Sequence, residues 1–474
     1  MRVTSAFNRL LDLPGVWVRA VRFEPGRVVV TVALKRRRLH CPKCSYTTPY
    51  RESEQHHDSV WRHADLGARR RLEIRARLRR VRCPEHGVHV EGVPFARDGA
   101  RFTRDFEDVV AWLATKTDQT ATCRLMRIDW ETVGRIIGRV GDELLPADRL
   151  KDLFEISLDE VAWRKGHRYL TLAGDHRQGC VVWGTEGKGQ AAADRFFADL
   201  DGEAAAAGSP PPKPPAPART SSWEPVAAIM VPFGPCPTVA AGKGIHAAWL
   251  APGIELDPVI VARASRLKAV SMDMTAGYAK SVREHAPQAE IVIDNFHVVQ
   301  AATKALDEVR REHWNELRAL DQHAAKQFKD ARWSLLKNPE DLTDRQAAAL
   351  ALLTASGGKV ARAWAMKEMV REIFKPGLTV GQVDRLIERL LGRLSRSRLA
   401  PFVRLGRTIR KHRQGILAAR RLKLSNARAE ALNNKAKLIV RRAFGFHSAR
   451  AALALILLAC GPVTLTLPHE RFAV

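Results

Sequence analysis

The chain has 474 residues, a globular composition and 78 Lys and Arg against 51 Asp and Glu, a formal charge of +27. That length allows two to four domains with a sizeable core. The cationic excess favours a polyanionic partner over a membrane surface or a ribosome-like scaffold, because phosphate contacts release counterions. No secretory signal follows Met1 to Arg9, and the most apolar stretch, Ala451 to Cys460, is too short to cross a bilayer and reads as a buried helix. The seven cysteines do not form a disulfide framework: three cluster early, while Cys123, Cys180, Cys236 and Cys460 are scattered, as suits a reduced cytoplasm.

Residues 14–34 read as a hairpin, with Val16, Val18 and Val21 before a Glu24-Pro25-Gly26 turn and Val28 to Leu34 after it. Further on, Leu72, Ile74, Ala76 and Leu78 alternate with Glu73, Arg75, Arg77 and Arg79, the period of a strand with one apolar and one mainly arginine face. Residues 1–100 are thus expected to form a small, basic β module. Across 101–150, Phe106, Val109, Val110, Trp112 and Leu113 have helical spacing. A short second segment runs from Gln119 to Met126, and a third helix starts at an Asp129 cap and carries Trp130, Val133, Ile136, Ile137 and Val140. Three helices with a tight middle turn suggest a helix-turn-helix, the alternative being a linker bundle with a solvated basic face. Arg124, Arg127, Arg135 and Arg139 are its candidate DNA contacts.

From Leu153 the pattern becomes β. Ile156 to Asp159, Tyr169 to Ala173 and Cys180 to Trp183 are expected as three successive strands, followed by a helix from Ala191 to Leu200. Residues 201–265 are low-complexity and Pro/Ala-rich, a linker or surface insertion. Leu267 to Asp273 reads as a strand, Tyr278 to His285 as a helix and Glu290 to Asp294 as another strand; 299–424 is a basic helical insertion, and Glu430 falls in a helix after a Ser425-Asn426 cap.

Two constellations carry chemistry. Cys41-x-x-Cys44 and Cys83-x-x-His86 both have knuckle spacing, which lets the two ligands of one turn reach one tetrahedral metal; four protein ligands make a structural zinc site with no open position. The other is acidic. Asp159 at the end of the first strand, Asp273 at the end of a later one and Glu430 early in a helix stand in the element order β-β-β-α-β-α-β-α, which matches a ribonuclease-H-like fold. Three convergent carboxylates hold two magnesium (or manganese) ions, suited to in-line displacement at phosphorus. Taken singly, such residues are more often turn and capping groups. Glu160, next to Asp159, should point to the opposite sheet face.

Leu158 to Tyr169, Ser271 to Tyr278, Asp294-Asn-Phe-His297-Val, Ser425 to Lys437 and Arg441-Arg442-Ala-Phe-Gly445-Phe446 together resemble the ISL-three group of bacterial insertion-sequence transposases, of the DDE type. The likeness covers nearly the whole chain, including the Cys/His module and Trp333-Ser-Leu-Leu-Lys-Asn-Pro; the long 201–265 stretch departs from it. It implies Asp159, Asp273 and Glu430 as metal-binding catalytic residues and Asp294 with His297 as supporting ones. Around Glu430, Asn433, Asn434, Lys435, Lys437, Arg441 and Arg442 are expected to touch DNA or, for the asparagines, to orient the carboxylate. Trp333 is either a wedge into distorted DNA or a core residue.

The expected protein is a multidomain α+β enzyme: a zinc-binding β module (1–100), a helix-turn-helix (101–150), a ribonuclease-H-like mixed α/β catalytic domain (151–298), a helical insertion (299–424) and final catalytic helices (425–474). Its expected partners are double-stranded DNA, as terminal inverted repeats and target, and further copies of itself in a homodimer or larger synaptic complex. The expected setting is the bacterial cytoplasm, at the nucleoid. The alternatives are a catalytically inactive DNA-binding derivative and, on charge alone, an RNA-bound structural protein.

Overall fold

The computed structural model describes residues 1–67, 69–202, 263–424, 427–443 and 445–472. Most of the low-complexity stretch and the Ser425-Asn426 cap lie outside these.

The chain opens with a helix not foreseen above, α1 (Val3–Leu11), and the expected hairpin β1 (Val16–Glu24) and β2 (Arg27–Leu34), turned at Gly26 with φ +76°. Two short strands follow, β3 (Leu39–His40) and β4 (Thr47–Thr48), then β5 (His57–Leu66), β6 (Arg70–Leu78), β7 (Arg80–Cys83) and β8 (Gly87–Val90). The main sheet has the order β1-β2-β6-β5, with β2 and β6 parallel. Leu72, Ile74, Ala76 and Leu78 are all buried in it, as their period of two requires, against Val28, Val30, Trp61 and Phe95.

Three helices follow where expected: α2 (Arg104–Lys116), α3 (Gln119–Met126) and α4 (Trp130–Leu144). Thr103, Asp118 and Asp129 each accept a backbone N–H from the first turn, satisfying a donor the helix cannot pair itself.

A second, mixed sheet is built from β9 (Glu155–Arg164), β10 (Arg168–Asp175) and β11 (Cys180–Glu186), an antiparallel meander. After α5 (Gln190–Gly202) come β12 (Ala269–Met272), α6 (Ala276–His285) and β13 (Glu290–Ile293). The order is β11-β10-β9-β12-β13, with β12 parallel to both β9 and β13. The helices α7 (Asn295–Leu320), α8 (Gln322–Asp330), α9 (Arg332–Leu336), α10 (Asp344–Ala355), α11 (Gly358–Ile373), α12 (Val380–Arg396) and α13 (Ala400–Leu422) precede α14 (Ala427–Arg442) and α15 (Ala449–Cys460). The last is the buried apolar helix read from the sequence.

Both faces of this sheet are covered. Ile156, Leu158, Val270 and Met272 share one core with α5, α6 and the helices from α7 to α13. Val161, Trp163, Leu170 and Leu172 face the other way, into a core with α2, α4, α14 and α15. The helix-turn-helix therefore packs with the final helices over the mixed sheet. Close approach is secured at Gly415, where a Cβ would lie 2.6 Å from Ile293, and at Gly184, where it would lie 2.5 Å from Leu453.

Candidate active site and metal centre

The strand β9 corrects one expectation: it does not end at Asp159 but runs on to Arg164. What ends there is its parallel partner. The β9–β12 register closes at Leu158↔Met272, so Asp159 and Asp273 are the next residues on adjacent strands. The β12–β13 register closes likewise at Met272↔Ile293, which brings Asp294 alongside; its N–H donates to the Met272 carbonyl at 2.9 Å. Three aspartates thus stand in a row at one end of the central strands.

Their partners differ. Asp273 accepts the Thr275 N–H at 2.8 Å, bending the chain into α6. Asp294 caps α7 through the Phe296 N–H at 2.9 Å and holds His297 Nδ1 at 2.9 Å. That bond to Asp294, helped by the charges of Asp294, Asp159 and Asp273 and opposed by burial, raises the His297 pKa above its usual value. At Asp159, burial pushes the carboxyl pKa up and Asp273 adds to it. The Glu160 N–H, His297 and Lys437 pull it down without cancelling the rise. Glu160 points to the opposite face, as expected, and accepts the Tyr278 hydroxyl at 3.0 Å; Tyr278 also meets Thr171 at 3.0 Å. This hydrogen-bonded trio, with Thr171 and Tyr278 buried, escaped sequence reading because its members come from three separate elements.

The helix α14 lies against β9. Asn433, only 7% exposed, donates its side-chain N–H to Asp159 Oδ2. Glu430, one turn earlier, is exposed in the first turn. Among the described residues, the three carboxylates Asp159, Asp273 and Glu430 do not gather within 4.8 Å of one another. Lys437, one turn beyond Asn433, is near enough to act on Asp159 by charge. Asn434 and Arg441 are exposed, whereas Lys435 donates to the Ala459 carbonyl and Arg442 to that of Lys116 at 3.2 Å.

The helix-turn-helix arginines divide in the same way. Arg124 and Arg135 are exposed, Arg135 lying 3.9 Å from Glu131. Arg127 adopts the left-handed conformation that ends α3 and pairs with Asp65 at 3.4 Å. Arg139 is paired with the fully buried Glu107, which also faces Arg97 at 3.3 Å. Trp333 is 54% exposed, beneath the Arg332 guanidinium, and so is not a core residue.

The two knuckles meet. Cys41 follows β3, Cys44 lies between β3 and β4, Cys83 ends β7 and His86 precedes β8. Cys44 and Cys83 sulfurs are 3.7 Å apart, and His86 Nδ1 lies 3.6 Å from Cys83 Sγ and 3.9 Å from Cys41 Sγ. A tetrahedral ion with metal–sulfur bonds of about 2.3 Å needs sulfur–sulfur edges of about 3.8 Å. The four side chains fit such an ion, and no other cysteine-containing group of this kind occurs among the described residues.

Among those residues, no helix is long and apolar enough to cross a membrane. Two family models match the chain. One, described as Transposase, covers 259–456 and takes in Asp273, Asp294, His297 and Glu430, beginning after Asp159; the other, the helix-turn-helix domain of transposase family ISL3, covers 91–141. The transposase for insertion sequence element IS1557, from two strains of Mycobacterium tuberculosis, is 33% identical over 432 residues, spanning 87% of this chain and 83% of the relative. The transposase for insertion sequence element IS1001 of Bordetella parapertussis is 25% identical over 455 residues, spanning 93% of this chain and 95% of the relative. A relative this similar over most of both chains, a matching ISL3 helix-turn-helix and the Cys/His and acidic sites described above lead to one assignment: the chain belongs to the ISL3 family of DDE-type insertion-sequence transposases.

Proposed function

We propose that this chain binds the terminal inverted repeats of its insertion sequence, cleaves DNA at the element's ends and joins the freed 3′-hydroxyls to target DNA. The observation that carries the reading is the meeting of Asp159 and Asp273 where β9 and β12 part, with the helix of Glu430 tied to Asp159 through Asn433. The strand order supports a ribonuclease-H-like catalytic domain at 151–298, interrupted by the 299–424 insertion and completed by 425–474. Asp159, Asp273 and Glu430 are its proposed ligands for magnesium or manganese, a set of hard carboxylate oxygens in which a buried acid has need of a cation. Bound there, such ions supply an activated attacking oxygen and a stabilised leaving oxygen.

The protein's own groups do the rest. Asn433 fixes the Asp159 rotamer. His297, oriented by Asp294, lies where the charges of Asp159 and Asp273 favour its protonated form. Asn434, Lys437 and Arg441 are proposed to hold the scissile strand, with Lys435 and Arg442 also anchoring α14. Arg124 and Arg135 are proposed to contact the repeats, from α3 and α4; Arg127 and Arg139 support that surface through Asp65 and Glu107. Zinc is the proposed occupant of Cys41, Cys44, Cys83 and His86, bracing the short strands β3, β4, β7 and β8 against one another. Two ends must be processed together, so a homodimer or larger synaptic complex is proposed, acting in the cytoplasm.

A second reading, an inactive DNA-binding derivative, is favoured by one observation: the carboxylates of Asp159, Asp273 and Glu430 do not lie within 4.8 Å of one another. Labelled end DNA, incubated with magnesium and either wild type or Asp159→Ala, separates the two. Cleavage by wild type alone supports the enzyme. Equal cleavage by both removes Asp159 from the chemistry, and binding without cleavage by wild type favours the derivative.

A further inference from the structure

A groove of about 810 Å³ opens at the far end of β9, where Trp130, Trp163, Arg164, Lys165, Arg441 and Phe446 converge. Its size falls in the range of roughly 300–1,000 Å³ that small organic ligands occupy. Three elements meet there. Trp130 is the first residue of α4 in the helix-turn-helix, Trp163 and Arg164 end the strand of Asp159, and Arg441 lies in the last turn of the helix of Asn433. Side chains alternate along a strand, so Trp163 shares the face of Asp159 at about 13 Å along it, four residues at ~3.3 Å each.

The lining has a definite chemistry. Arg164, Lys165 and Arg441 are exposed, and among the described residues none forms an ion pair and no acid lines the groove. Trp163 is 3% exposed, and its Nε1–H, which can only donate, meets no acceptor. Buried indole N–H groups usually find one. Aromatic rings beside free cations suit unpaired nucleotides, whose bases stack on the rings while the cations follow the backbone. Duplex DNA fits such a recess less well, because its base faces are already stacked on one another.

We propose that this groove holds an unpaired DNA segment a few nucleotides from the scissile phosphate, with a base against Trp130 and phosphates on Arg164, Lys165 and Arg441. Only the words about the scissile phosphate rest on the transposition reading; the binding of unpaired DNA stands apart from it.

The test is fluorescence anisotropy of the full-length protein with a labelled oligothymidylate of roughly ten nucleotides, without divalent metal. Arg164→Ala/Lys165→Ala, at the exposed end of the β9–β10 hairpin, should weaken binding and flatten the log K against log salt slope by about 1.4, two phosphates at about 0.7 each. Trp130→Ala should lose roughly tenfold in affinity through lost stacking, and blunt duplex should compete poorly. Unchanged oligothymidylate affinity in the double variant overturns the proposal, as does an equal loss for blunt duplex. If Trp130→Ala fails to fold, the hairpin variant decides. The assay uses no cleavage, so a chain that cuts no DNA yet binds oligothymidylate in this way keeps the groove. One that cuts ends while the double variant binds oligothymidylate normally loses it.

Discussion

Asp159 is pulled in two directions. Burial favours its neutral form, while His297 and Lys437 favour the carboxylate, and Asn433 donates to one of its oxygens. A carboxyl so placed gains most from a cation that displaces its water without protonating it. Asp159→Asn keeps the shape and removes the charge, so it should cut end cleavage by roughly a thousandfold, several kcal/mol of metal-dependent stabilisation, while leaving end binding within about twofold. Gel-resolved cleavage beside a binding titration checks both. His297 gives a pH signature. Its folded pKa is raised, chiefly by Asp294, so its contribution to stability is complete below the ordinary histidine value and is lost as pH rises through the higher folded one. Without metal, wild type should melt above His297→Gln at about pH 6, the two converging by about pH 9. A gap that stays constant across that range would show that His297 acts by packing alone.

The elements differ in how far they could be read in advance. Strand β6 was legible because one face is wholly buried, which imposes a strict alternation; β5, at the sheet edge, buries only Trp61 and has no period to detect. The extent of β9 was misread at Asp159-Glu160. Two consecutive acids resemble a strand end, yet the strand continues because β10 still pairs with it and each acid finds its own face. The convergence of the Cys/His residues was legible because each pair is local, whereas the contact of Asn433 with Asp159 spans 274 positions and exists only in the fold. The knuckles support a prediction of their own. A separate apolar core holds β1, β2, β5 and β6, so chelation should release about one zinc per chain and expose 40–52 and 80–90 to protease before the main sheet opens. Simultaneous loss of the whole module would mean that its core depends on the metal. Among the helix-turn-helix arginines, exposure sorts the outcomes. Arg124→Ala and Arg135→Ala should each lower the salt slope of end binding by about 1 with little change in stability. Arg139→Ala leaves the buried Glu107 facing Arg97 alone and should cost on the order of 2–3 kcal/mol in urea denaturation.

At the scale of the whole molecule, the helix-turn-helix and the mixed sheet are not independent parts on a tether. Phe106, Val110, Val133, Ile136 and Val140 share a core with Val161, Trp163 and Leu172 of the sheet and Ile439, Leu455 and Ile456 of the final helices. Charge reinforces the joint. Arg97, nearly buried, faces Glu107, Asp108 and Glu143, and Arg471 near the C-terminus reaches Asp105 and Asp108. On the proposed function, a DNA end held by α3 and α4 would stand in fixed relation to Asp159, orienting the scissile phosphate without a separate closure step. The same packing predicts that the parts cannot be cut apart. A fragment of residues 151–474 loses α2 and α4 and bares the side of α15 on which they pack, buried apolar side chains such as Leu458 at about 1.5–3 kcal/mol each, a loss comparable to the stability of a whole domain. It should be aggregation-prone, bind a hydrophobic dye and show no cooperative melt. A soluble fragment with a sharp transition would mean that α15 tolerates exposure of that side, and that the helix-turn-helix is free to move with DNA.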